Sequence, residues 1–127
     1  MLLDLNNASA PTRLESDVCV VGGGAAGVAL ARSLSRRGRD VCLLEAGGMD
    51  FEQQTQDLCL GDNVGMEYYE LEHSRLRFFG GTTNIWGGRS IPMDRIDFEK
   101  RDWIPHSGWP ITLDDLEPYY RIAHDSL

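Results

Sequence analysis

A chain of 127 residues with 42% hydrophobic and 25% charged residues is sized for one globular domain, which excludes a disordered or fibrous segment. A formal net charge of −8 excludes a nucleic-acid partner, since phosphate binding needs a basic surface and the one tight arginine cluster is Arg36, Arg37 and Arg39. No apolar run reaches the roughly 18 residues of a membrane span, and Met1 to Arg13 lacks the pattern of a secretory signal, so no membrane span and a cytoplasmic location are expected.

Residues 1–15 mix Asn, Ser, Ala and Pro without a period and are expected to form a mobile lead-in. Val18, Cys19, Val20 and Val21 form a continuous apolar run, which predicts a parallel-sheet strand covered on both faces. Gly22, Gly23, Gly24 and Gly27 follow at once. Ala25 to Arg37 has helical spacing, with Val28, Ala31 and Leu34 on one side and Arg32, Ser35 and Arg36 on the other. Gly38 is the expected stop. Arg36 and Arg37 fall in the last turn, where cations favour the negative end of the helix dipole, so the basic cluster requires no ligand. Val41 to Leu44 is a second apolar strand ending at Glu45, and strand, helix and strand within about 30 residues make a right-handed βαβ unit. Cys19, Cys42 and Cys59 lack metal or redox spacing and are expected as free thiols, the first two acting as small hydrophobes within strands.

Residues 49–74 show no persistent period and carry no structural expectation. The segment RLRFFGGTTNIWGG, Arg75 to Gly88, predicts an ordered loop leading into a short helix. Thr112 and Asp115 have the spacing of a capping box, and Leu116, Tyr119, Tyr120 and Ala123 supply an apolar side. Pro118 interrupts that helix and is expected to begin a second stretch at its first position.

Gly22-x-Gly24-x-x-Gly27 is the dinucleotide fingerprint in its required context, after a strand and opening a helix. Gly22 permits the tight turn, Gly24 lets the backbone approach a pyrophosphate, and Gly27 lets helix and strand pack closely. The first-turn N–H groups of Ala25 and Ala26 then face the pyrophosphate, whose charge the helix dipole favours. Glu45, 18 residues after Gly27, is placed to accept hydrogen bonds from the adenosine ribose, and its charge disfavours a 2′-phosphorylated nucleotide. These residues alone leave FAD and NAD both open.

The stretch DVCVVGGGAAGVALARSLSRRGRDVCLLEAGG resembles the N-terminal FAD-binding signature of flavoproteins with two dinucleotide-binding domains, and its triple glycine and Glu45-Ala46-Gly47 ending favour FAD. RFFGGTTNIWGG resembles the second signature of the glucose-methanol-choline (GMC) oxidoreductases, and WPITLDDLEPYY strengthens that likeness. The combination is more similar to the branch of pyranose oxidases and sugar-acid and polyol dehydrogenases than to the choline or aryl-alcohol branch. The resemblance implies that Gly22, Gly24 and Gly27 hold the pyrophosphate and Glu45 the ribose, with Ala46 at the adenosine side. It implies that Gly80, Gly81, Thr82, Thr83 and Asn84 line the stretch from pyrophosphate to flavin, and that Arg77 anchors this loop electrostatically. Trp86 serves as either a core aromatic or a flavin neighbour. In pyranose oxidases a His at the position of Ile85 carries the flavin covalently, so a non-covalent flavin is expected here.

The expected fold class is α/β, a Rossmann-like FAD-binding domain that is incomplete and belongs to a larger two-domain flavoprotein. Within it, residues 16–127 form the N-terminal portion, with the dinucleotide site over 16–47 and the second loop and following helices over 75–123. The resemblance implies oxidation of the CH–OH group of an alcohol or sugar by hydride transfer to FAD. The resemblance implies that the proton-accepting His and the substrate domain are to be expected downstream of this chain, so no catalytic residue and no metal ligand are assigned, and the chain alone is expected to be inactive. The competing readings are a non-catalytic nucleotide-binding module and, more weakly, an NAD-dependent dehydrogenase.

Overall fold

A computed structural model describes residues 1–6, 11 and 13–125. The expected lead-in over 1–15 therefore lies partly outside the described residues, as do the last two positions of the chain. The molecule divides into two compact units, Met1–Gly88 and Arg89–Leu127.

In the first unit, β1 (Val18–Val21) and β2 (Val41–Leu44) pair in parallel, with Val18 opposite Val41 and Val21 opposite Leu44. α1 (Ala25–Arg36) joins them. The pairing continues past the strand ends, where Gly22 N–H donates to the Leu44 carbonyl at 2.7 Å. Val28, Ala31 and Leu34 are half-buried while Arg32, Ser35 and Arg36 are exposed, as the helical spacing predicts. The helix closes in a Schellman arrangement. Gly38 N–H donates to Ser35 and Arg39 N–H to Leu34, with Gly38 at a left-handed φ of 76° that favours glycine.

Among the described residues the sheet is covered on one face only. Val20 is buried on the side of α1, where a Cβ on Gly27 would lie 3.6 Å from its Cγ1. Cys19 is exposed and Val21 is 82% exposed, so within the described residues β1 lacks the expected cover on its second face and Cys19 is not a buried hydrophobe. The reason is alternation: successive side chains of a strand point to opposite faces, and α1 covers one of them. All three cysteines are free thiols, and Cys59 is buried.

The segment without a sequence expectation is built from short turns. α2 (Gln53–Gln56) runs into a 3₁₀ turn at Asp57–Cys59, and another turn lies at Leu71–His73. Then comes the expected loop, which enters a 3₁₀ turn at Gly81–Asn84.

The second unit carries α3 (Arg95–Phe98) and α4 (Leu113–His124), with Phe98 buried. Thr112 and Asp115 form the expected capping box: Thr112 N–H donates to Asp115 Oδ2 at 2.8 Å, and Asp115 N–H donates to Thr112 Oγ1 at 3.3 Å. Pro118 does not begin a second helix; it lies inside α4, which continues through it. Pro118 has no N–H for the carbonyl of Asp114 four residues earlier, and interruptions of this kind cost about 3 kcal/mol. The capping box upstream and the Glu117–Arg121 ion pair of 2.7 Å, which spans the proline, support the helix on both sides of it.

Candidate functional site

Two glycine loops distant in sequence meet in the first unit. Gly80 N–H donates to the Gly23 carbonyl at 2.9 Å, and Gly24 and Gly80 form a parallel bridge. Together they bound an open depression of about 390 Å³, lined by Val21, Gly22, Gly24, Ala25, Ala26 and Gly27 on one side and Gly80, Thr82 and Thr83 on the other.

The geometry of the first loop explains its glycines. Gly22 has a left-handed φ of 106°. A Cβ on Gly27 would lie 1.9 Å from the Gly22 carbonyl oxygen, so the helix can approach the strand this closely only without a side chain. A Cβ on Gly24 would meet nothing within 4 Å, because that position faces the depression. Gly24 is the N-cap of α1; no side chain caps this end and no acidic residue lies in its first turn. By contrast, α4 carries its own side-chain cap. An uncapped helix start of this kind directs its orphan N–H groups and the positive end of the helix dipole at whatever occupies the depression, a setting suited to a pyrophosphate.

Glu45 does not line the depression but holds its wall. Its Oε2 accepts from Gly23 N–H at 2.6 Å, while Oε1 accepts from Ala46 N–H at 2.7 Å and Gly47 N–H at 3.2 Å. A carboxylate offers about four acceptor sites, so Glu45 keeps capacity on Oε2 for one further donor such as a ribose hydroxyl.

In the second loop the side chains divide by what they leave free. Thr82 Oγ1 accepts from Leu76 N–H at 3.2 Å, which leaves its own proton to donate. Thr83 spends its proton on the Gly80 carbonyl, and Asn84 Nδ2 donates to the carbonyls of Phe79 at 3.0 Å and Gly81 at 2.9 Å. Thr82 is thus the hydroxyl donor available to an anion, whereas Thr83 and Asn84 offer acceptors. Gly81 packs on the first loop, where its Cβ would lie 3.5 Å from Gly24 Cα. Arg77 is half-buried, its Nε has no hydrogen-bond partner, and it forms no ion pair among the described residues. Its backbone is what ties the loop down: a Cβ on Gly47 would lie 2.0 Å from the Arg77 carbonyl oxygen, and Phe79 N–H donates to Gly48 at 3.0 Å. Trp86 is 47% exposed and is not a core aromatic of the described residues. Sequence reasoning missed Gln56, whose buried amide braces the second loop from behind.

Among the described residues no helix is long and apolar enough to cross a membrane, and no group of three or more His, Cys, Asp or Glu side chains could hold a metal ion.

The chain is 34% identical over 123 residues to 6'''-hydroxyparomomycin C oxidase of Streptomyces lividus, covering 87% of this chain and 22% of that protein. It is 31% identical over 123 residues to paromamine 6'-oxidase of Streptomyces fradiae, covering 87% and 23%. It is 29% identical over 125 residues to oxygen-dependent choline dehydrogenase of Rhizobium etli (strain CIAT 652), covering 85% and 22%. The chain thus spans 22% to 23% of the length of these curated relatives. No solved structure matches it. The FAD dependent oxidoreductase family (DAO) matches residues 17–121, which include both glycine loops and α1, and the chain belongs to that family.

Proposed function

We propose that this chain is the N-terminal FAD-binding portion, residues 16–127, of a GMC-type oxidoreductase that oxidises the CH–OH group of an alcohol or sugar. The observation that carries the reading is the hydrogen bond from Gly80 to Gly23, because it seats the second glycine loop against the dinucleotide loop. An enzyme that reads the ADP half alone has no evident need of that second wall. Support also comes from the relatives, whose names describe oxidation of a hydroxyparomomycin and of paromamine and dehydrogenation of choline.

Within this reading, the N–H groups at the start of α1 bind the pyrophosphate, Glu45 accepts a ribose hydroxyl, and Thr82 donates toward the middle of the cofactor. The chemistry that FAD would supply there is acceptance of a hydride at its flavin ring. Ile85 offers no nucleophilic atom, so the flavin is held without a covalent bond. The test is anaerobic titration of the purified full-length protein with alcohols and sugars. Bleaching of the yellow flavin band by one of them is the expected result; a protein without flavin, or a flavin that none of them reduces, contradicts the reading.

A further inference from the structure

The second glycine loop is braced by a side chain that belongs to neither glycine motif. Gln56, the last residue of α2, is 4% exposed and is the only buried polar side chain among the described residues. Its Nε2 donates to the carbonyls of Glu72 and Arg75, both at 2.7 Å, and its Oε1 accepts from Arg77 N–H at 3.1 Å. The amide fits in one orientation only: flipped, its NH₂ would face the Arg77 N–H and its oxygen two carbonyls. Both amide hydrogens are therefore spent on fixing the backbone just before the loop. From Arg77 the chain passes against Gly47, then bonds to Gly48 through Phe79 N–H, and reaches Gly23 through Gly80 N–H. Beyond the side-chain hydrogen bonds of Gln56, each step toward the wall of the depression is a contact between backbone groups.

We propose that Gln56 is a positioning residue for FAD: by fixing Glu72, Arg75 and Arg77 around one buried amide, it sets how the loop from Gly80 to Asn84 stands over the first glycine loop, and with it the affinity and the environment of the bound cofactor. This rests on the reading that the second loop contacts FAD. A buried amide stripped of its partners, or carbonyls stripped of their donors, favours a rearranged loop, so the effect of removing Gln56 is transmitted to the site.

The experiment uses the full-length holoprotein and three variants. Gln56→Met keeps the length of the side chain and removes all three hydrogen bonds. It is expected to weaken FAD binding by about tenfold or more and to alter the visible-region circular dichroism of the bound flavin at saturating FAD. A loss of global stability alone would leave the spectrum of the saturated, folded protein unchanged. Gln56→Glu places a carboxylate against the carbonyls of Glu72 and Arg75. It is expected to bind FAD more weakly than Gln56→Met at alkaline pH and to recover toward acid pH, because protonation restores an O–H donor. Gln56→Met carries no titrating group and shows no such recovery. Unchanged FAD affinity and spectrum in folded Gln56→Met, or Gln56→Glu without acid recovery, overturns the proposal. If Gln56→Met fails to fold, the pH response of Gln56→Glu decides. Gly80→Val separates the two readings: if it too leaves FAD binding unchanged, the loop does not contact FAD, whereas if it alone abolishes binding, only the role of Gln56 fails.

Discussion

Gly23 and Glu45, 22 residues apart, are joined by a hydrogen bond of 2.6 Å from the Gly23 N–H to Glu45 Oε2. With Ala46 and Gly47 donating to the other oxygen, the carboxylate fastens the turn after β1 to the end of β2. Glu45→Gln replaces one acceptor by an NH₂ group that must face a backbone N–H. Losing a charged acceptor here costs about 1–3 kcal/mol. The expected outcome is an FAD dissociation constant raised by about tenfold or more in the full-length protein, read by flavin fluorescence quenching. An unchanged constant contradicts the bracing role.

Gly27 and Gly24 separate the demands of the fold from those of the site. A Cβ on Gly27 meets the Gly22 carbonyl at 1.9 Å, so Gly27→Ala must push α1 off the sheet and is expected to cost about 1–3 kcal/mol in a urea melt, or more. A Cβ on Gly24 meets nothing within 4 Å, and Gly24 has an ordinary extended φ of −74°, so Gly24→Val leaves the fold intact and intrudes on the depression. The expected outcome is an unchanged melt with FAD binding lost. Reversed outcomes would show that the two glycines have been assigned the wrong roles.

What was legible in the sequence is the part governed by local stereochemistry. Gly22, Gly27 and Gly38 stand where the backbone demands a missing side chain, and the helical spacing of Val28, Ala31 and Leu34 marks the buried side of α1. Burial set by distant partners was not legible. Gln56 lies among Gln53, Thr55 and Asp57, and nothing local distinguishes it; its partners lie 16 to 21 residues away. Val21 is as apolar as Val20, yet only Val20 points at α1. Which of Thr82, Thr83 and Asn84 keeps a free donor depends on loop carbonyls that spacing does not reveal.

The uncovered face of the sheet makes a chemical prediction for the 127-residue chain on its own. Cys19 is exposed, Cys42 half-buried and Cys59 buried, so a thiol reagent should modify them in that order. Measured by mass spectrometry after short exposure, label on Cys19 should come first, with binding of a hydrophobic dye beside Val21 and Leu44. Equal labelling of Cys19 and Cys59 in folded chain would contradict the one-sided sheet.

Asp115 ties the start of α4 to pH. Hydrogen bonds first from the Thr112 hydroxyl and then from the Thr112 N–H hold its carboxyl below the ordinary value of 3.8. The folded pKa is depressed, so the stabilisation is fully present above 3.8 and is lost as pH falls below it through the lowered folded value. An acid titration followed by hydrogen exchange should show the first turn of α4 loosening in that window. Thr112→Val removes the hydroxyl and should flatten this step; an acid step of the same size in the variant would rule out the capping pair as its cause.

The joining of the two glycine loops into one FAD site is tested most directly by amide hydrogen exchange on the full-length protein, stripped of flavin and then resupplied with FAD. The expected result is that exchange slows together over Gly22 to Gly27 and over Gly80 to Asn84. Protection confined to the first loop, with exchange in the second unchanged, would contradict it.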